Sequence, residues 1–467
     1  MYAEKNVRIS VRAEPCGDPS WARLYSSPAN LPWEIVTGPA SFCTKDLTSA
    51  LTGFCSTSGQ PTIAEDTVIG PVTLCRYTNE FWTSRQRQAS SIHEISYRAC
   101  FKPQLPRFFI SLLTRKGDVV YDPFNGRGTT VIEAALLGRD VIANDANPLS
   151  RIMTEPRFFP PDQSRVEERL TRILAGTDRA EIDLSMFYHP DTEREIVALR
   201  QYLLTRKAAS LDDRIDRWIA MVVTNRLTGH SKGFLSVYTL PPNQAVSQES
   251  QKKINEKRTQ TPEYRDTRRI ILTKTRSLLR SVSGTDIRHL NRAGKSAILL
   301  TGDAQKTPAI PDESVNLTVT SPPFLDIVQY REDNWLRCWF NGLDETEIGK
   351  QITMARTVDR WAGVMGRVFE ELFRITVPGG YVAFEVGEVR NRTIRLEEHV
   401  VPLGIAAGFT CECVLINQQT FTKTSNIWGV GNMAAGTNTN RIVVFRKSGD
   451  TRPAPTKPRK PANLDIN

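Results

Sequence analysis

The stretch of residues 122–130, DPFNGRGTT, decides the fold that this sequence predicts. The apolar run 119–121 before it predicts a short buried strand. Gly126 and Gly128 allow a tight turn in which no side chain would clash with a ligand. The two threonines that follow can cap a helix over 131–137. A strand, a glycine turn and a helix N-terminus together predict a cradle for a nucleotide-like ligand.

A carboxylate follows at the place where such a cradle holds the sugar of its ligand. The strand predicted at 141–144 ends on Asp145, about 20 residues after Gly126, a spacing at which an acidic residue accepts hydrogen bonds from ribose hydroxyls. The turn lacks the dinucleotide pattern G-x-G-x-x-G, and no lysine follows the glycines as it does in a phosphate-binding loop. A neutral nucleoside with an amino-acid tail therefore fits this turn better than a polyphosphate.

The nonapeptide resembles the S-adenosylmethionine (AdoMet) loop of the DNA amino-methyltransferases, which carry the pattern D-P-F-x-G-x-G-T-T. Upstream, residues 93–110 resemble the segment before this loop in the same enzymes, where a Lys-Pro pair, here Lys102-Pro103, lies beside the methionine end of the cofactor. The resemblance also implies that Asp303, after a predicted strand at 297–301, lies near the adenine ring. The alternative to a cofactor contact is that Lys102 is a solvated surface lysine and that Asp303 is a simple turn aspartate. The predicted cofactor-binding residues are Lys102, Asp122, Phe124, Gly126, Gly128, Thr129, Asp145 and Asp303.

A second motif, Ser321-Pro322-Pro323-Phe324, follows a predicted strand at 315–320. An exocyclic amine on a base is a poor nucleophile because its lone pair is delocalised into the ring. The Ser321 hydroxyl and the Pro322 carbonyl can accept hydrogen bonds from that amine and favour a pyramidal nitrogen, and the prolines stiffen the loop. Phe324 offers a flat face on which a base turned out of the duplex can stack. We predict that these four residues form the catalytic site.

The family resemblance adds a preference for the base. S-P-P-[YF] is typical of enzymes that methylate cytosine N4, whereas D-P-P-Y and N-P-P-Y are more typical of adenine N6 enzymes. In the commonest arrangement that contains Ser-Pro-Pro, that motif precedes the AdoMet loop, whereas here the AdoMet loop comes first. Some RNA guanine methyltransferases share the present order, so adenine N6 and an RNA base amine are the alternatives to cytosine N4.

Residues 151–290 interrupt the methyltransferase pattern with helical periodicity at 163–174, 191–204 and 215–227. The stretch 251–295 contains 13 Lys or Arg and 4 Asp or Glu. Such a basic segment suits contacts with DNA phosphates, although a run of charge is often only a solvated face. The predicted DNA contacts are Arg268, Arg269, Arg276 and Arg280.

The composition is that of a globular protein with a polyanionic partner. The formal net charge of the 467-residue chain is +10, which favours a polyanion such as DNA. No apolar run approaches the roughly 18 residues that suggest a membrane span, and we find no signal-peptide pattern. The eight cysteines include no C-x-x-C pair, so we expect no metal site. These features predict a cytoplasmic protein, encoded by a prokaryote or a phage and associated with the nucleoid through DNA.

Together these features predict an α/β fold, a Rossmann-like seven-stranded methyltransferase sheet with a mainly helical insertion. The predicted segments are an N-terminal extension of unknown role at 1–88, either poorly ordered or loosely packed, and the first half of the methyltransferase domain at 89–150. A basic helical insertion for DNA recognition follows at 151–290, then the second half of the domain at 291–449 and a disordered tail at 450–467. The predicted activity is methyl transfer from AdoMet to a base amine in double-stranded DNA by base flipping. A cognate restriction endonuclease is a candidate partner, and a DNA-binding protein without catalytic activity is the remaining alternative.

Overall fold

The computed structural model describes residues 47–56, 58–83, 89–97, 100–173, 176–239, 245–323, 330–351, 357–386, 388–389, 394–422 and 435–449. The strands are β1 (Ile63–Ile69), β2 (Val72–Asn79), β3 (Val119–Asp122), β4 (Asp140–Asp145), β5 (Ile298–Thr301), β6 (Val315–Thr320), β7 (Thr376–Val386), β8 (Glu388–Val389), β9 (Ile394–Arg395), β10 (Thr410–Thr422) and β11 (Ala435–Arg446).

The α-helices are α1 (Leu47–Thr52), α2 (Gln104–Leu113), α3 (Thr129–Leu136), α4 (Leu149–Thr154), α5 (Gln163–Thr171), α6 (Pro190–Ala208), α7 (Arg214–Arg226), α8 (Gln248–Arg258), α9 (Thr267–Leu279), α10 (Gly284–Ser296), α11 (Tyr330–Asn341), α12 (Glu345–Gln351), α13 (Val358–Ile375) and α14 (Glu397–Ala406). Two short 3-10 helices span Ser91–His93 and Glu155–Phe158.

Nine strands form one sheet in the order β1-β2-β10-β11-β7-β6-β3-β4-β5. The five strands from β7 to β5 are parallel to their neighbours, and β11 runs antiparallel to both β7 and β10. After β3 the chain adds β4 and then β5 on one side of β3, and it then returns to place β6 on the other side. The direction in which strands are added therefore reverses between β3 and β6. The loops after β3 and β6 diverge at this switch point, which is where open parallel sheets bind ligands.

The α/β class is confirmed, but the sheet has nine strands rather than the predicted seven. Seven strands, β3 to β7 with β10 and β11, account for the predicted sheet, and the predicted closing antiparallel pair is β10 with β11. The two additional strands form the hairpin β1-β2, in which β2 pairs in parallel with β10. They lie within the predicted N-terminal extension at 1–88.

The interpretation of that extension as poorly ordered is therefore wrong for its described part. Phe54, Phe81 and Trp82 are buried and pack as a group of rings against Phe108 of α2. The Trp82 backbone N–H donates to the Asn417 side chain of β10 at 3.1 Å. Scattered aromatics in a Pro- and Ser-rich stretch did not show the hairpin, because its partner strand lies more than 300 residues along the chain. Residues 1–46 and the tail 450–467 lie outside the described residues.

Helices cover both faces of the sheet. On one face, α13 packs Phe369 against Phe384 and Phe445, with ring centroids 4.8 and 5.2 Å apart. On the other face, the core beneath α2 and α3 continues without a break into the helices of the insertion. At the centre of the insertion lies Trp218, which is fully buried and donates its indole N–H to Thr275 at 3.1 Å. The insertion is thus packed as part of the same core as the sheet.

The three helices that the sequence predicts for the insertion are present as α5, α6 and α7. The first of them, α5, ends at Thr171, earlier than the periodicity suggests, and the other two agree within a few residues. Among the described helices, none has the combination of length and apolar character that a membrane span requires.

The start of the insertion packs against the back of the glycine turn. Gly128 has φ 76°, in the left-handed region, and immediately precedes α3. A Cβ added there would lie 2.7 Å from Thr154 Cγ2 and 3.0 Å from an Arg157 guanidinium nitrogen. The Arg157 side chain is fully buried and donates to the backbone carbonyls of Met153 and Arg127. The turn therefore needs glycine for its backbone conformation and for the space behind it.

We expect Gly128→Ala to lower the free energy of unfolding by more than Gly117→Ala does. Gly117 also has a positive φ, 90°, but no atom lies within 4 Å of a Cβ placed there. The control substitution should therefore cost backbone strain alone, roughly 1–2 kcal/mol. Gly128→Ala adds overpacking against Thr154 and Arg157, about 1–3 kcal/mol more. Urea unfolding of the two variants measures the difference, and equal losses would mean that the side chains behind the turn can move aside.

Candidate active site

The glycine turn is held in shape by hydrogen bonds from both of its sides. The Gly128 backbone N–H donates to the Asn125 carbonyl at 2.7 Å, and the Asn125 N–H donates to the Asn144 carbonyl of β4 at 3.0 Å. The Asn125 side chain is buried and donates to the hydroxyls of Ser150 and Thr154 at 2.7 and 2.9 Å. The backbone of the turn is thus positioned before any ligand is present.

Asp145, at the end of β4, faces this turn as the sequence predicts. One carboxylate oxygen accepts from the Gly126 N–H at 2.7 Å, and the other accepts from the Asn147 N–H at 2.8 Å. Burial raises the pKa of Asp145 to about 6, and these two backbone donors act in the opposite direction. Because a carboxylate has about four acceptor positions, two remain for donors of a ligand.

Asp303 lies at the same edge of the sheet. The Gly302 N–H donates to the Asp145 carbonyl at 3.1 Å, and the Asn144 side chain donates to the Gly302 carbonyl at 3.0 Å. The Asp303 carboxylate is exposed and accepts from the backbone and the side chain of Gln305. These contacts are those of a turn aspartate, so its predicted contact with adenine stays a prediction.

Lys102 and Phe124 lie beside the turn, each half-buried. Burial, and secondarily the nearby Arg127 guanidinium, lower the pKa of Lys102. Arg127 itself is buried and donates to the Ile95 carbonyl at 2.6 Å and to the Thr129 hydroxyl at 3.1 Å. A half-buried ammonium group next to the turn is suited to an anionic group at the end of a ligand.

Asp122 and Thr129 belong to the predicted cofactor set, but both side chains are buried and contact other protein groups. The Asp122 carboxylate accepts from the Thr320 hydroxyl at 2.6 Å and from the Phe124 N–H at 3.1 Å. Burial raises the pKa of Asp122 to about 6, while its hydrogen-bond donors lower it. Since Thr320 is the last residue of β6, this contact joins the glycine turn to the second motif.

The second motif begins directly after Thr320, at the carboxyl end of β6. Ser321 is half-buried, Pro322 is buried, and the Pro323 carbonyl accepts from the Trp361 indole N–H of α13 at 2.9 Å. Phe324, the predicted stacking residue, lies outside the described residues. The structure therefore brings Ser321, Pro322 and Pro323 next to the glycine turn, at the switch point of the sheet.

Glu385 is a site residue that the sequence analysis missed. It lies at the end of the adjacent strand β7, where Phe384 pairs with Thr320. Its buried carboxylate accepts a hydrogen bond from the Asn440 side-chain amide at 2.6 Å, and the Ser321 hydroxyl lies beside it. Burial raises the pKa of Glu385 to about 7, while both of these groups lower it. A glutamate inside the apolar strand 381–386 was the available signal, because a charge is rarely buried without a role.

The four arginines predicted to contact DNA divide into two pairs. Arg268 donates to the Ile173 carbonyl at 2.8 Å, and Arg280 forms an ion pair with Glu94 at 2.6 Å. Arg269 and Arg276 are exposed on α9, and no contact of their guanidinium groups is found within the described chain. Arg269 and Arg276 are therefore better placed to meet an external phosphate than the other two.

Comparison with known proteins agrees with the cofactor-loop half of this site. Residues 69–150, which include the glycine turn and Asp145, match the model of a DNA methylase family. The Type II methyltransferase M.MvaI of Kocuria varians is 32% identical over 96 residues, 20% of each chain. M.MjaI of Methanocaldococcus jannaschii is 26% identical over 183 residues, which cover 35% of this chain and 58% of that protein.

These matches span less than two thirds of the length of either relative. Among solved structures, the precorrin-6y C5,15-methyltransferase of Geobacter metallireducens GS-15 overlaps with 76% of this chain and 93% of its own, at 11% identity. Its TM-score of 0.29 is too low to carry an argument. The family model and the two methyltransferases do not separate enzymes that act on cytosine N4 from those that act on adenine N6. They do show that residues 69–150 match the DNA methylase family and that the chain is similar to Type II DNA methyltransferases.

Proposed function

We propose that this protein transfers a methyl group from AdoMet to an exocyclic base amine in double-stranded DNA, with cytosine N4 as the preferred target. The observation that supports the chemistry most directly is the position of the buried Glu385 carboxylate beside Ser321, which follows from the pairing of Thr320 with Phe384. The two residues lie at the carboxyl ends of two adjacent parallel strands and next to the turn formed by Gly126 and Gly128. A polar pair of this kind, beside a nucleoside-sized turn, suits proton transfer from a bound base.

The residues around the turn fit AdoMet. Asp145 keeps acceptor positions for the two ribose hydroxyls, and Gly126 exposes backbone where a side chain would obstruct a ligand. The ammonium of Lys102 suits the methionine carboxylate. Phe124 and Asp303 are assigned to the adenine side of the ligand. When bound, AdoMet supplies an electrophilic methyl group, so that the protein needs no strong base to activate the amine.

The protein side of the reaction is acceptance of hydrogen bonds and then of a proton. The Ser321 oxygen and the Pro322 carbonyl accept hydrogen bonds from the target amine and draw its lone pair out of conjugation. As the nitrogen forms its new bond, it loses a proton, which passes through the Ser321 hydroxyl to the Glu385 carboxylate. The Asn440 amide holds Glu385 in position for this transfer. A carboxylate whose pKa lies near 7 can take up and release a proton at neutral pH.

The choice of base rests on Ser321 at the first position of the motif, which in the resembling family is typical of cytosine N4 enzymes. Adenine N6 in DNA and a base amine in RNA are the alternatives. Base flipping, with Phe324 as the stacking residue, belongs to the same proposal, because a base inside the duplex cannot reach a half-buried hydroxyl at the end of a strand. Nucleoside mass analysis of DNA and RNA from an expressing strain distinguishes the three products. The absence of any methylated base would instead favour a DNA-binding protein without catalysis.

Asp145→Ala should weaken AdoMet binding by about 1–3 kcal/mol, because it removes acceptors for the ribose hydroxyls and leaves the Gly126 N–H unpaired. Isothermal calorimetry with AdoMet measures the change. Glu398→Ala, which removes an exposed carboxylate on α14, is the control and should bind AdoMet as the wild type does. An unchanged affinity in a folded Asp145→Ala variant would exclude the ribose contact.

The single-turnover methylation rate should rise with pH through about 7, because only the ionised Glu385 can accept a proton. Glu385→Gln should abolish this rise and lower the rate at pH 8 by on the order of 10²–10⁴-fold. Ser321→Ala should lower the rate by the equivalent of about 1–3 kcal/mol and leave AdoMet affinity nearly unchanged, because the lost contact strengthens only as the nitrogen pyramidalises.

Glu398→Gln is the matched control for these rates and should keep the wild-type pH profile. Rapid-quench kinetics at saturating AdoMet and DNA isolate the chemical step from binding. A wild-type rate in Ser321→Ala would remove the hydroxyl from the mechanism. A pH profile that survives in Glu385→Gln would remove the carboxylate.

Replacing Arg269 and Arg276 with glutamine should flatten the slope of log affinity for duplex DNA against log salt concentration. Each lost phosphate contact should change the slope by about 0.9. Lys116→Gln is the control, since this exposed lysine lies before the amino-terminal end of β3, beside Gly138, whereas the candidate site lies at the carboxyl ends of the strands. Fluorescence anisotropy over a range of salt concentrations gives the slopes, and identical slopes would mean that α9 presents only a solvated face.

A further inference from the structure

Two cations lie close together inside the insertion, and within the described residues neither forms an ion pair with a carboxylate. Arg226, the last residue of α7, is buried and donates to the Asn225 carbonyl at 3.1 Å and to its side-chain oxygen at 2.7 Å. Its guanidinium group lies 4.0 Å from the centroid of the Phe234 ring. All of these partners are neutral, so none of them balances the charge.

Lys274, in the middle of α9, is half-buried beside Arg226. Within the described part of the chain, its ammonium has no hydrogen-bond or ion-pair partner. The charged groups that face it are Arg226, Arg280 and Glu94. The Glu94 carboxylate accepts from Arg280 at 2.6 Å and from the Ser277 hydroxyl at 3.0 Å, so its charge is already offset by Arg280. Lys274 and Arg226 therefore form a local excess of two positive charges.

A third helix adds to the positive potential. Arg337 of α11 is buried and faces Arg226, although the Asp333 carboxylate lies close enough to offset part of its charge. Burial and, to a lesser extent, these mutual repulsions lower the pKa of Lys274 to about 8 and that of Arg226 to about 10. The negative end of the α7 dipole helps to stabilise Arg226 but not Lys274, because Lys274 is not at the end of a helix. An arrangement of this kind is unfavourable unless an anion joins it.

The pair lies close to the glycine turn. The Asn225 side-chain amide, next to Arg226, donates to the Ser96 carbonyl at 2.8 Å. The following residue, Tyr97, lies 3.8 Å from the position of a Cβ added at Gly126. The two residues Ser96 and Tyr97 therefore connect the neighbour of Arg226 to the turn.

An exposed tip of the insertion stands on the same side. Residues 230–233 are exposed and include Lys232. The tip is held rigidly, because the Arg265 guanidinium donates to the carbonyls of Ser231 and Phe234 at 3.0 and 2.7 Å. Phe234, at the base of the tip, is the ring on which Arg226 stacks. A DNA backbone that crosses this tip would pass close to Arg226.

We propose that Arg226 and Lys274 bind one phosphate of the DNA backbone close to the target nucleotide. This inference rests on the proposed function and adds to it a contact that the exposed arginines of α9 do not provide. A phosphodiester carries one negative charge and accepts from both cations through its two free oxygens, which offsets most of the local excess. The pair thereby fixes the position of the strand relative to Ser321.

The test is the affinity for duplex DNA of Lys274→Gln, Lys274→Arg and the control Lys116→Gln, measured by fluorescence anisotropy with AdoMet present. Lys274→Gln should lose about tenfold or more in affinity at pH 7, whereas Lys274→Arg and Lys116→Gln should stay near the wild type. Wild-type affinity should fall as the pH rises through about 8, because Lys274 must be protonated to bind the phosphate. Lys274→Arg should retain its affinity over the same range, since arginine stays charged.

Folding does not confound this test, because removing a half-buried charge with no described partner should leave the free energy of unfolding unchanged or higher. Equal DNA affinities of Lys274→Gln and the wild type would overturn the inference, while methylation by the wild type would leave the proposed function intact. A wild type that neither binds DNA nor methylates it would overturn both. If inorganic phosphate raised the Tm of the wild type but not of Lys274→Gln, and the DNA affinities were equal, the site would belong to a free anion instead.

Discussion

The site depends on one buried hydrogen bond, from the Thr320 hydroxyl to the Asp122 carboxylate. These residues end the strands β6 and β3, the two neighbours between which the strand order reverses. A second contact from the same pair of motifs, the Thr130 hydroxyl to the Val319 carbonyl at 3.1 Å, prevents one strand end from moving without the other. The glycine turn and the Ser321 loop therefore act as a single preformed unit, so that little rearrangement is needed on binding.

Burial gives this edge of the sheet its chemical character. Asp122, Asp145 and Glu385 all end or nearly end a parallel strand, and desolvation raises the pKa of each into the range of about 6 to 7. Each carboxylate is held by donors that come from a neighbouring strand or loop. The three carboxylates nevertheless contact different parts of the site. Asp122 joins two loops, Asp145 faces the glycine turn and Glu385 faces Ser321.

The insertion contributes charge of the opposite sign. Its cations lie on α7 and α9, two helices that share a core around Trp218 and so are held at a constant separation. This division of charge suits the proposed action on DNA. The basic helices attract the phosphate backbone of DNA, while the acidic strand ends lie where a neutral base would bind. The family model matches residues 69–150 and therefore does not include the predicted insertion at 151–290.

The sequence by itself determined the features that depend on neighbours along the chain. The strand, glycine turn and helix at 119–137 follow from local backbone preferences, as do α6, α7 and the position of Ser321 after a strand. The spacing of apolar and polar residues after residue 291 likewise predicted α13 and the closing pair of strands β10 and β11. Such rules operate over a few residues, so one sequence is enough to apply them.

Only the tertiary structure decided which distant residues meet. Ser321 and Glu385 lie far apart in the chain and meet because β6 pairs with β7, and the hairpin β1-β2 is ordered because β10 accepts it. Arg226 and Lys274 share a site only because α7 packs on α9. Pairing of strands and packing of helices are set by the whole core, and no local pattern records the partner. Ser321 was therefore visible in the sequence as a candidate, whereas the carboxylate of Glu385 beside it required the fold.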